Sequence, residues 1–356
     1  MVEAGPAGTD LVGGPIVFDT TARSISTARE NQVNEASPSM RGFARCTTYR
    51  YGRGMHEEPL VPPADVIALV HAHIPGYQVG SVTFLGEGQD NISYEVDHEL
   101  IVRFGKDPDR GRRSESVRRE SRLLTVVARL SPVPVPRPLF VAAEHGCLAY
   151  RRLAGQPLIG LSAAIRAGHA DSVAAVLGEL LSVLHTTDRE QIADLVDEDV
   201  LPPRLWLDEA VDNYTAVVDH VPEQHRPAVE SFLATPPPSE GAGPVFSHND
   251  LGVEHILLDP RTHRVSGIID WSDAAMVDAA YDFGLICRDL GPTALDAALD
   301  SYRTRFAADP AIGDRALFYA RCSVFEDLAY GLHPEHRMYF DKSVTALTWL
   351  FPPQKR

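Results

Sequence analysis

One stretch of the chain, SHNDLGVEHILLDPRTHRVSGIID at residues 247–270, combines several polar groups with an apolar background. It holds a His-x-Asp triplet that ends at Asp250, a second histidine at His255, and a closing Ile-Ile-Asp that ends at Asp270. The apolar runs predict two short strands joined by a turn. The polar residues therefore either form hydrogen bonds within an ordinary hairpin or belong to a ligand-binding site.

Composition limits the class of protein. The chain has 356 residues, of which 44% are hydrophobic, enough for one large domain or two ordinary ones. A net charge of −16 argues against nucleic acid or an anionic membrane as the partner and suits a cationic small molecule. Four widely spaced cysteines predict neither a zinc cluster nor a disulfide framework, which is typical of a cytoplasmic protein. We see no stretch typical of a membrane span or a secretory signal, and we expect a monomer.

Secondary-structure signals divide the chain into three parts. Residues 1–58 are rich in small and polar residues without an apolar period, which predicts a disordered extension, with Met40 or Met55 as an alternative start. Strand signals cluster in residues 59–153, and helical periodicity dominates residues 154–356. We therefore predict an α+β fold with an antiparallel-sheet N-lobe and a mostly helical C-lobe that contains the hairpin of the opening stretch.

Two features of the predicted N-lobe suit a phosphate group. Gly86 and Gly88 form a turn between strands where backbone N–H groups can approach an anion closely, and Gln89, Asp90 and Asn91 form its polar tip. Most such turns are simple hairpins, so this signal alone is weak.

The second feature is a possible ion pair. Arg103 lies on the next predicted strand and Glu120 on the following helix, where a cation for phosphates and its partner would lie. By spacing alone, a surface arginine and a solvated acid are the favoured interpretation.

The opening stretch offers the remaining groups that phosphoryl transfer needs. Asp250 can orient or deprotonate an acceptor hydroxyl, and His255 and Asp270 can face one metal ion. Mg²⁺ prefers oxygen ligands, so a histidine is unusual as a direct ligand, and we expect His255 to act through water or hydrogen bonding. His248 is expected to brace the turn. A His/Asp site for zinc hydrolysis is an alternative, although no other His or Cys clusters with it.

Together these segments resemble the aminoglycoside phosphotransferases, a family that shares its fold with protein kinases. The motif HNDLGVEH…IIDWSD is similar to their catalytic and metal-binding segments. Most members carry Asn at the position of His255, whereas the 2″-phosphotransferase branch typically carries His, as this chain does. The resemblance covers roughly residues 80–330 in the family's order. It includes FLGEGQDNISYEV, LIVRF, RRESRLL, AYRRLAGQPL, LLSVLH and AAYDFGLI.

The resemblance implies a protein-kinase-like bilobal fold, Mg²⁺, and ATP or GTP as co-substrate. It makes Asp250 the catalytic carboxylate and His255 and Asp270 the metal-side residues. Arg103 replaces the branch's usual lysine, which changes a point charge into a planar fork. The implied nucleotide-binding residues are Gly86, Gly88, Gln89, Asp90, Asn91, Arg103, Glu120 and the hinge residues Tyr150, Arg151 and Leu153.

At the hinge, Tyr150 occupies the gate position, where a bulky residue can favour guanine over adenine; ordinary core packing is the alternative. Asp282 is expected to brace the catalytic turn, and Arg288 would repel a polycation. The candidate carboxylates for a cationic substrate are Asp273, Asp278, Asp289 and Glu326.

The implied function is transfer of the terminal phosphoryl group of ATP or GTP to a hydroxyl of an aminoglycoside, and hence antibiotic resistance. The alternatives are a kinase for a macrolide or another small molecule, a nucleotide-binding protein without useful catalysis, and a metallohydrolase.

Overall fold

The computed structural model describes residues 61–356 apart from Gln89, residues 304–308 and residues 354–356. The predicted disordered extension at residues 1–58 lies outside the described residues, as does Gln89 of the predicted glycine-rich turn.

The N-lobe is built on a five-stranded antiparallel sheet with the order β1-β2-β3-β5-β4. Two helices pack with it, α1 (Pro63–His73) and α2 (Arg110–Leu130). Pro63 suits the start of α1, because the first N–H groups of a helix have no partner within the helix and proline lacks this group. The Asp109 carboxylate caps α2 by accepting the N–H of Arg112. The strands are β1 (Val82–Glu87), β2 (Asn91–Val96), β3 (Leu100–Gly105), β4 (Pro138–Ala142) and β5 (Cys147–Arg151).

Alternation along the strands gives the sheet two different faces. On β3, Leu100 and Val102 belong to a small core with Val66 of α1. Ile101, between them, belongs to the main core together with residues of α2 and the C-lobe. The face that carries Ile101 is therefore the face that also presents Arg103 toward the cleft between the lobes.

The C-lobe is mostly helical, with two small three-stranded sheets ordered β10-β9-β6 and β7-β11-β8. Its helices are α3 (Ala163–His185), α4 (Pro203–Val217), α5 (Arg226–Leu233), α6 (Tyr281–Leu290), α7 (Pro292–Arg303), α8 (Ile312–Tyr330) and α9 (Arg337–Leu350). Its strands are β6 (Gln156–Pro157), β7 (Asp197–Glu198), β8 (Pro244–Ser247), β9 (Ile256–Leu258), β10 (Val265–Ile268) and β11 (Ala275–Asp278). The predicted α+β architecture, with an antiparallel-sheet lobe and a helical lobe that contains the hairpin, is confirmed.

The lobes are joined by a short hinge that passes directly over the hairpin. The predicted boundary after residue 153 falls in this segment, between β5 and β6. Gly155 has a φ of 120°, and a Cβ on it would lie 2.2 Å from Ser266 Oγ and 2.9 Å from the Leu258 carbonyl oxygen. Only glycine suits this crossing, because it tolerates the left-handed conformation and needs no space for a side chain.

Among the described residues, one helix, α3, is long and apolar enough to span a membrane by length and composition alone. Leu177, Leu180 and Leu181 of this helix are fully buried in the C-lobe core. At Gly178 the helix approaches α7 so closely that a Cβ would lie 2.1 Å from the Ala298 carbonyl oxygen. Packing inside the lobe therefore accounts for the apolar character of α3.

We expect Gly178→Ala to lower the free energy of unfolding by about 1–3 kcal/mol, because the added methyl group meets backbone that cannot move without separating α3 from α7. Gly168→Ala on the same helix is the matched control, since a Cβ there meets nothing within 4 Å. That variant should be about 0.5–1 kcal/mol more stable, in line with the helix propensity of alanine. Denaturant unfolding measures both changes; equal effects would contradict the close approach.

Candidate active site

The hairpin brings the polar residues of the opening stretch to one place. Strands β9 and β10 pair antiparallel, with Ile256 opposite Ile268, so the residue before β9 and the residues after β10 lie at the same end. The backbone N–H of Ile269 extends this ladder by donating to the His255 carbonyl oxygen at 3.0 Å. His255 and Asp270 are therefore neighbours although fifteen positions of sequence separate them.

The imidazole of His255 lies between two carboxylates. Its Nδ1 is 2.8 Å from the Asp250 backbone carbonyl oxygen and 3.4 Å from Asp250 Oδ2. Its Nε2, on the other side of the ring, is 4.0 Å from Asp270 Oδ2. His255 and Asp270 are almost fully buried, whereas Asp250 keeps 15% of its side chain exposed. The two acids thus converge on one buried ring, and Asp250 is the more exposed of the two.

Each of these groups has a shifted pKa with an identifiable cause. Burial opposes protonation of His255, but the carboxylates of Asp250, Asp270 and Glu254 outweigh it and raise its pKa to about 9. Burial raises the pKa of Asp250 well above its usual range. Burial also acts to raise the pKa of Asp270, yet the cations Arg103 and His255 hold it below the usual value. Asp270 is thus the more strongly ionised of the two acids.

The loops on either side of the hairpin contain strained backbone. Asn249 has a φ of 63° and Asp270 a φ of 59°, in the left-handed region that non-glycine residues rarely adopt. The Asp282 carboxylate accepts the N–H of Asn249 at 3.1 Å, and the Asn249 side chain donates to the Asp273 carbonyl oxygen at 3.0 Å. The prediction that Asp282 braces the catalytic turn is confirmed.

His248 joins the two loops. Burial lowers its pKa to about 3, so the ring is neutral, and its Nε2 donates to the Ile269 carbonyl oxygen at 3.0 Å. The ring also packs against Trp271, with centroids 4.5 Å apart. As predicted, His248 is a brace.

The predicted pair of Arg103 and Glu120 is present and has a third member. Arg103 Nη1 donates to Glu120 Oε1 at 2.8 Å, and Nη2 donates to Asp270 Oδ1 at 3.4 Å. Arg103 is buried and Glu120 is 11% exposed, and the two arms of the guanidinium group reach two acids at once. The pair therefore connects strand β3 and helix α2 of the N-lobe to the hairpin of the C-lobe.

The glycine-rich turn is closed by a residue that the sequence did not single out. Gly88 N–H donates to the Asn91 carbonyl oxygen at 2.8 Å, and the Asp90 carbonyl oxygen accepts the N–H of Lys106 at 2.8 Å. The Lys106 ammonium group bonds Glu87 Oε1 at 2.5 Å and the Gly88 carbonyl oxygen at 3.1 Å. Lys106 thus adds a half-exposed cation at the turn.

A cavity of about 210 Å³ lies between the lobes beside the hinge. Tyr150 and Leu153 line it as predicted for hinge residues, whereas the Arg151 side chain is exposed and does not. Tyr150 is only 3% exposed and forms part of the cavity wall. Other lining residues are Leu85, Ile101, His255, Leu257, Ile269, Met338 and Tyr339.

The four acids predicted for the substrate side have different surroundings. Asp273 lies in the loop whose backbone accepts a hydrogen bond from the Asn249 side chain. Burial raises the pKa of Glu326 to about 8, and the nearby carboxylates of Asp327 and Glu209 add to the effect. Asp278 is balanced by Arg315, whose Nε lies 2.8 Å from its Oδ2. Asp289 is buried and ion-paired with Arg288, so its carboxylate is not available to a substrate.

Asp289 belongs to a buried ion cluster that the sequence did not reveal. The Lys342 ammonium group of α9 lies 3.0 Å from Asp289 Oδ2, 2.9 Å from Asp327 Oδ2 and 3.2 Å from Glu254 Oε2. Arg288 Nε lies 2.7 Å from Asp289 Oδ1, and its Nη1 lies 3.0 Å from Asp327 Oδ2. The predicted repulsion of a polycation by Arg288 is therefore wrong, because acids surround this arginine inside the core.

The cluster also fixes the catalytic loop. Asp289 Oδ2 accepts the backbone N–H of Val253 at 3.2 Å, and Glu254 directly precedes His255. Lys342 lies in a helix far along the chain, where an isolated lysine is usually solvated, so no local pattern could identify it.

The residues at the hairpin fit a divalent cation. Asp250, Glu254 and His255 offer ligand atoms within 4.8 Å of one another, and Asp270 Oδ2 lies 4.0 Å from His255 Nε2. Two ligands bound at about 2.1 Å lie roughly 3–4 Å apart, so His255 and Asp270 are suitably spaced. Asp250 Oδ2 has no hydrogen-bond partner among the described residues. An oxygen-rich donor set of this kind suits Mg²⁺.

Comparison with known proteins agrees with this geometry. Residues 81–317 match the phosphotransferase enzyme family. The streptomycin 3″-kinase of Streptomyces griseus is 29% identical over 235 residues, covering 61% of this chain and 75% of that protein.

Solved structures share the fold at low identity. The GDP and kanamycin complex of APH(2″)-IIIa has a TM-score of 0.56 and 21% identity, covering 80% of this chain and 97% of that chain. Macrolide 2′-phosphotransferase MphH from Brachybacterium faecium has a TM-score of 0.53 and 22% identity, covering 82% and 99%. The predicted kinase-like fold is confirmed.

Because the family match spans more than half of its length, the chain belongs to the phosphotransferase enzyme family. It is, as predicted, a phosphotransferase with an alcohol group as acceptor.

We expect Lys342→Met to lower the free energy of unfolding by about 3–5 kcal/mol, because three buried carboxylates would share one remaining cation. Arg337→Met is the matched control on the same helix, since Arg337 pairs with Asp341 at an exposed position. It should change stability little. Denaturant unfolding of both variants tests this; similar midpoints would show that the cluster does not stabilise the fold.

Proposed function

We propose that the protein transfers the terminal phosphoryl group of ATP or GTP, with Mg²⁺, to a hydroxyl of a cationic small molecule, with an aminoglycoside as the favoured acceptor. Antibiotic resistance is the implied role. We further propose that it works in the cytoplasm as a single chain. The observation that carries this proposal is the buried His255 ring with Asp250 on one side and Asp270 on the other.

In this proposal, the nucleotide base occupies the hinge cavity and its phosphates lie between the glycine-rich turn and the hairpin. Arg103, held by Glu120 and Asp270, directs positive charge toward the phosphates. Asp270 and His255 would hold the Mg²⁺, which would supply positive charge against the phosphates. His255 must give up its proton to act as a ligand.

Asp250 completes the reaction on the acceptor side. Its partly exposed carboxylate orients the acceptor hydroxyl toward the terminal phosphorus and accepts the proton. The strained loop positions this carboxylate through the bonds that Asp282 and Asp273 make to Asn249. Positioning and charge neutralisation supply most of the rate enhancement.

A second cavity supports a cationic acceptor. It measures about 110 Å³ and is lined by Asp199, Glu240, Asp278, Trp206 and Tyr319, among others. It adjoins the catalytic loop, because the Asn249 side chain lies 3.4 Å from Asp199 Oδ2. Carboxylates and aromatic faces together attract ammonium groups. A macrolide remains the alternative acceptor that the fold could accommodate.

We expect Asp250→Asn to lower kcat by about 10²–10⁴-fold, because the amide cannot accept the hydroxyl proton. Nucleotide affinity should change only a few-fold, since Asp250 acts on the acceptor side. A coupled assay of ADP or GDP release, run with aminoglycosides and macrolides, measures the first quantity, and nucleotide titration measures the second. Asp171→Asn at an exposed site of α3 is the control. Undiminished transfer by Asp250→Asn would remove this residue from the mechanism.

We expect Tyr150→Ala to raise the preference for ATP over GTP, measured as the ratio of kcat/KM values, by about 10-fold, because the gate ring limits the hinge cavity. Tyr150→Phe keeps the ring and should leave the ratio unchanged. Steady-state kinetics with both nucleotides decide the point. An unchanged ratio in Tyr150→Ala would assign Tyr150 to core packing alone.

A further inference from the structure

A second group of metal-ligand residues lies outside the phosphotransferase site, in the turn between α8 and α9. His333, Glu335 and His336 each offer a ligand atom, and these atoms lie within 4.8 Å of one another. None of the three has a part in the proposed phosphoryl transfer. The turn reads GLHPEH at residues 331–336.

Local geometry places the two histidines on the same side of the chain. Pro334–His336 forms a short 3₁₀ turn, and the His336 N–H donates to the His333 carbonyl oxygen at 2.9 Å. With three residues per turn, positions i and i+3 lie above one another. The ring centroids of His333 and His336 are accordingly 5.7 Å apart.

The surroundings orient one ligand and leave the others accessible. His336 is 8% exposed and stacks on Tyr330, with centroids 4.0 Å apart and an angle of 21°. Tyr339 lies edge-on to the same ring at 6.5 Å. His333 and Glu335 are exposed, so an ion can enter from solvent. The site thus combines a buried, stacked ligand with two ligands that are exposed to solvent.

The donor set selects the class of ion. Two imidazole nitrogens and one carboxylate oxygen suit Zn²⁺ and similar ions, whereas Mg²⁺ prefers an all-oxygen octahedron. Tetrahedral bonds of about 2.0–2.1 Å bring ligand atoms to roughly 3.4 Å from each other, which the exposed side chains reach by rotation. We propose that His333, Glu335 and His336 bind one zinc-class divalent cation, with water in the fourth position.

The position of this site links it to the nucleotide cleft. Helix α9 begins immediately after the turn, and its first residues, Met338 and Tyr339, line the hinge cavity. The Lys342 ammonium group lies 5.1 Å from the Tyr339 ring. A bound ion therefore fixes the end of α9 that contacts both the cavity and the buried ion cluster.

The test uses the full chain in excess Mg²⁺ and nucleotide, which occupy the hairpin site. We expect Zn²⁺ titration by calorimetry to give one more equivalent for the wild type than for His333→Gln or the double variant His333→Gln/His336→Gln. Glu335→Gln should weaken binding about 10-fold. His71→Gln, at an exposed site on α1, is the control and should bind like the wild type.

Two further readouts separate this site from the phosphotransferase site. Co²⁺ in place of Zn²⁺ should give the visible absorption of a tetrahedral site in the wild type and not in His333→Gln. Zn²⁺ should raise the Tm of the wild type and of His71→Gln only. His333 is exposed, so its replacement leaves the fold and Mg²⁺-dependent transfer intact. Equal zinc stoichiometry in the wild type and in His333→Gln would overturn the proposal whatever the outcome of the transfer assay.

Discussion

The structure depends on one electrostatic constraint: the buried imidazole of His255 must have a carboxylate on each side. Neither acid could remain charged in this environment without a cation, and Asp270 obtains two, from His255 and Arg103. This requirement unites elements that are distant in sequence, because Arg103 comes from the N-lobe sheet and Asp270 from the C-lobe hairpin. The same charges that hold the lobes together are those that a metal–nucleotide complex would meet.

A second group of buried charges holds the loop that carries His255. The ion cluster around Lys342 contacts Glu254, the residue next to His255, and Asp289 holds the backbone at Val253. Such a cluster contributes little net stability, because desolvation cancels most of the attraction, yet it is intolerant of losing any member. It therefore defines one position for the catalytic loop.

The sequence predicts that the polar residues of the hairpin lie close together, because these groups are local. Asp250, His255 and Asp270 fall within one stretch, and antiparallel pairing alone brings its ends together. The contact between Arg103 and Glu120 needed the family resemblance, since spacing favoured a surface position. The role of Lys342 was not predicted because 88 positions separate it from Glu254. The sequence pattern around a lysine does not show whether its side chain is buried or solvated. The predictions for Asp289 and Arg288 failed for a related reason: besides each other, they pair with Lys342 and Asp327, which lie on other helices.

The place of Lys342 in the chain also bears on biosynthesis. Helix α9 occupies residues 337–350 and is the last helix in the described part of the chain. Until it leaves the ribosome, the cluster lacks Lys342 and keeps Arg288, which pairs with Asp289 and Asp327. We therefore expect complete folding of the C-lobe during translation to need α9, because a nascent chain that stalls near residue 335 would lack the contact between Lys342 and Glu254.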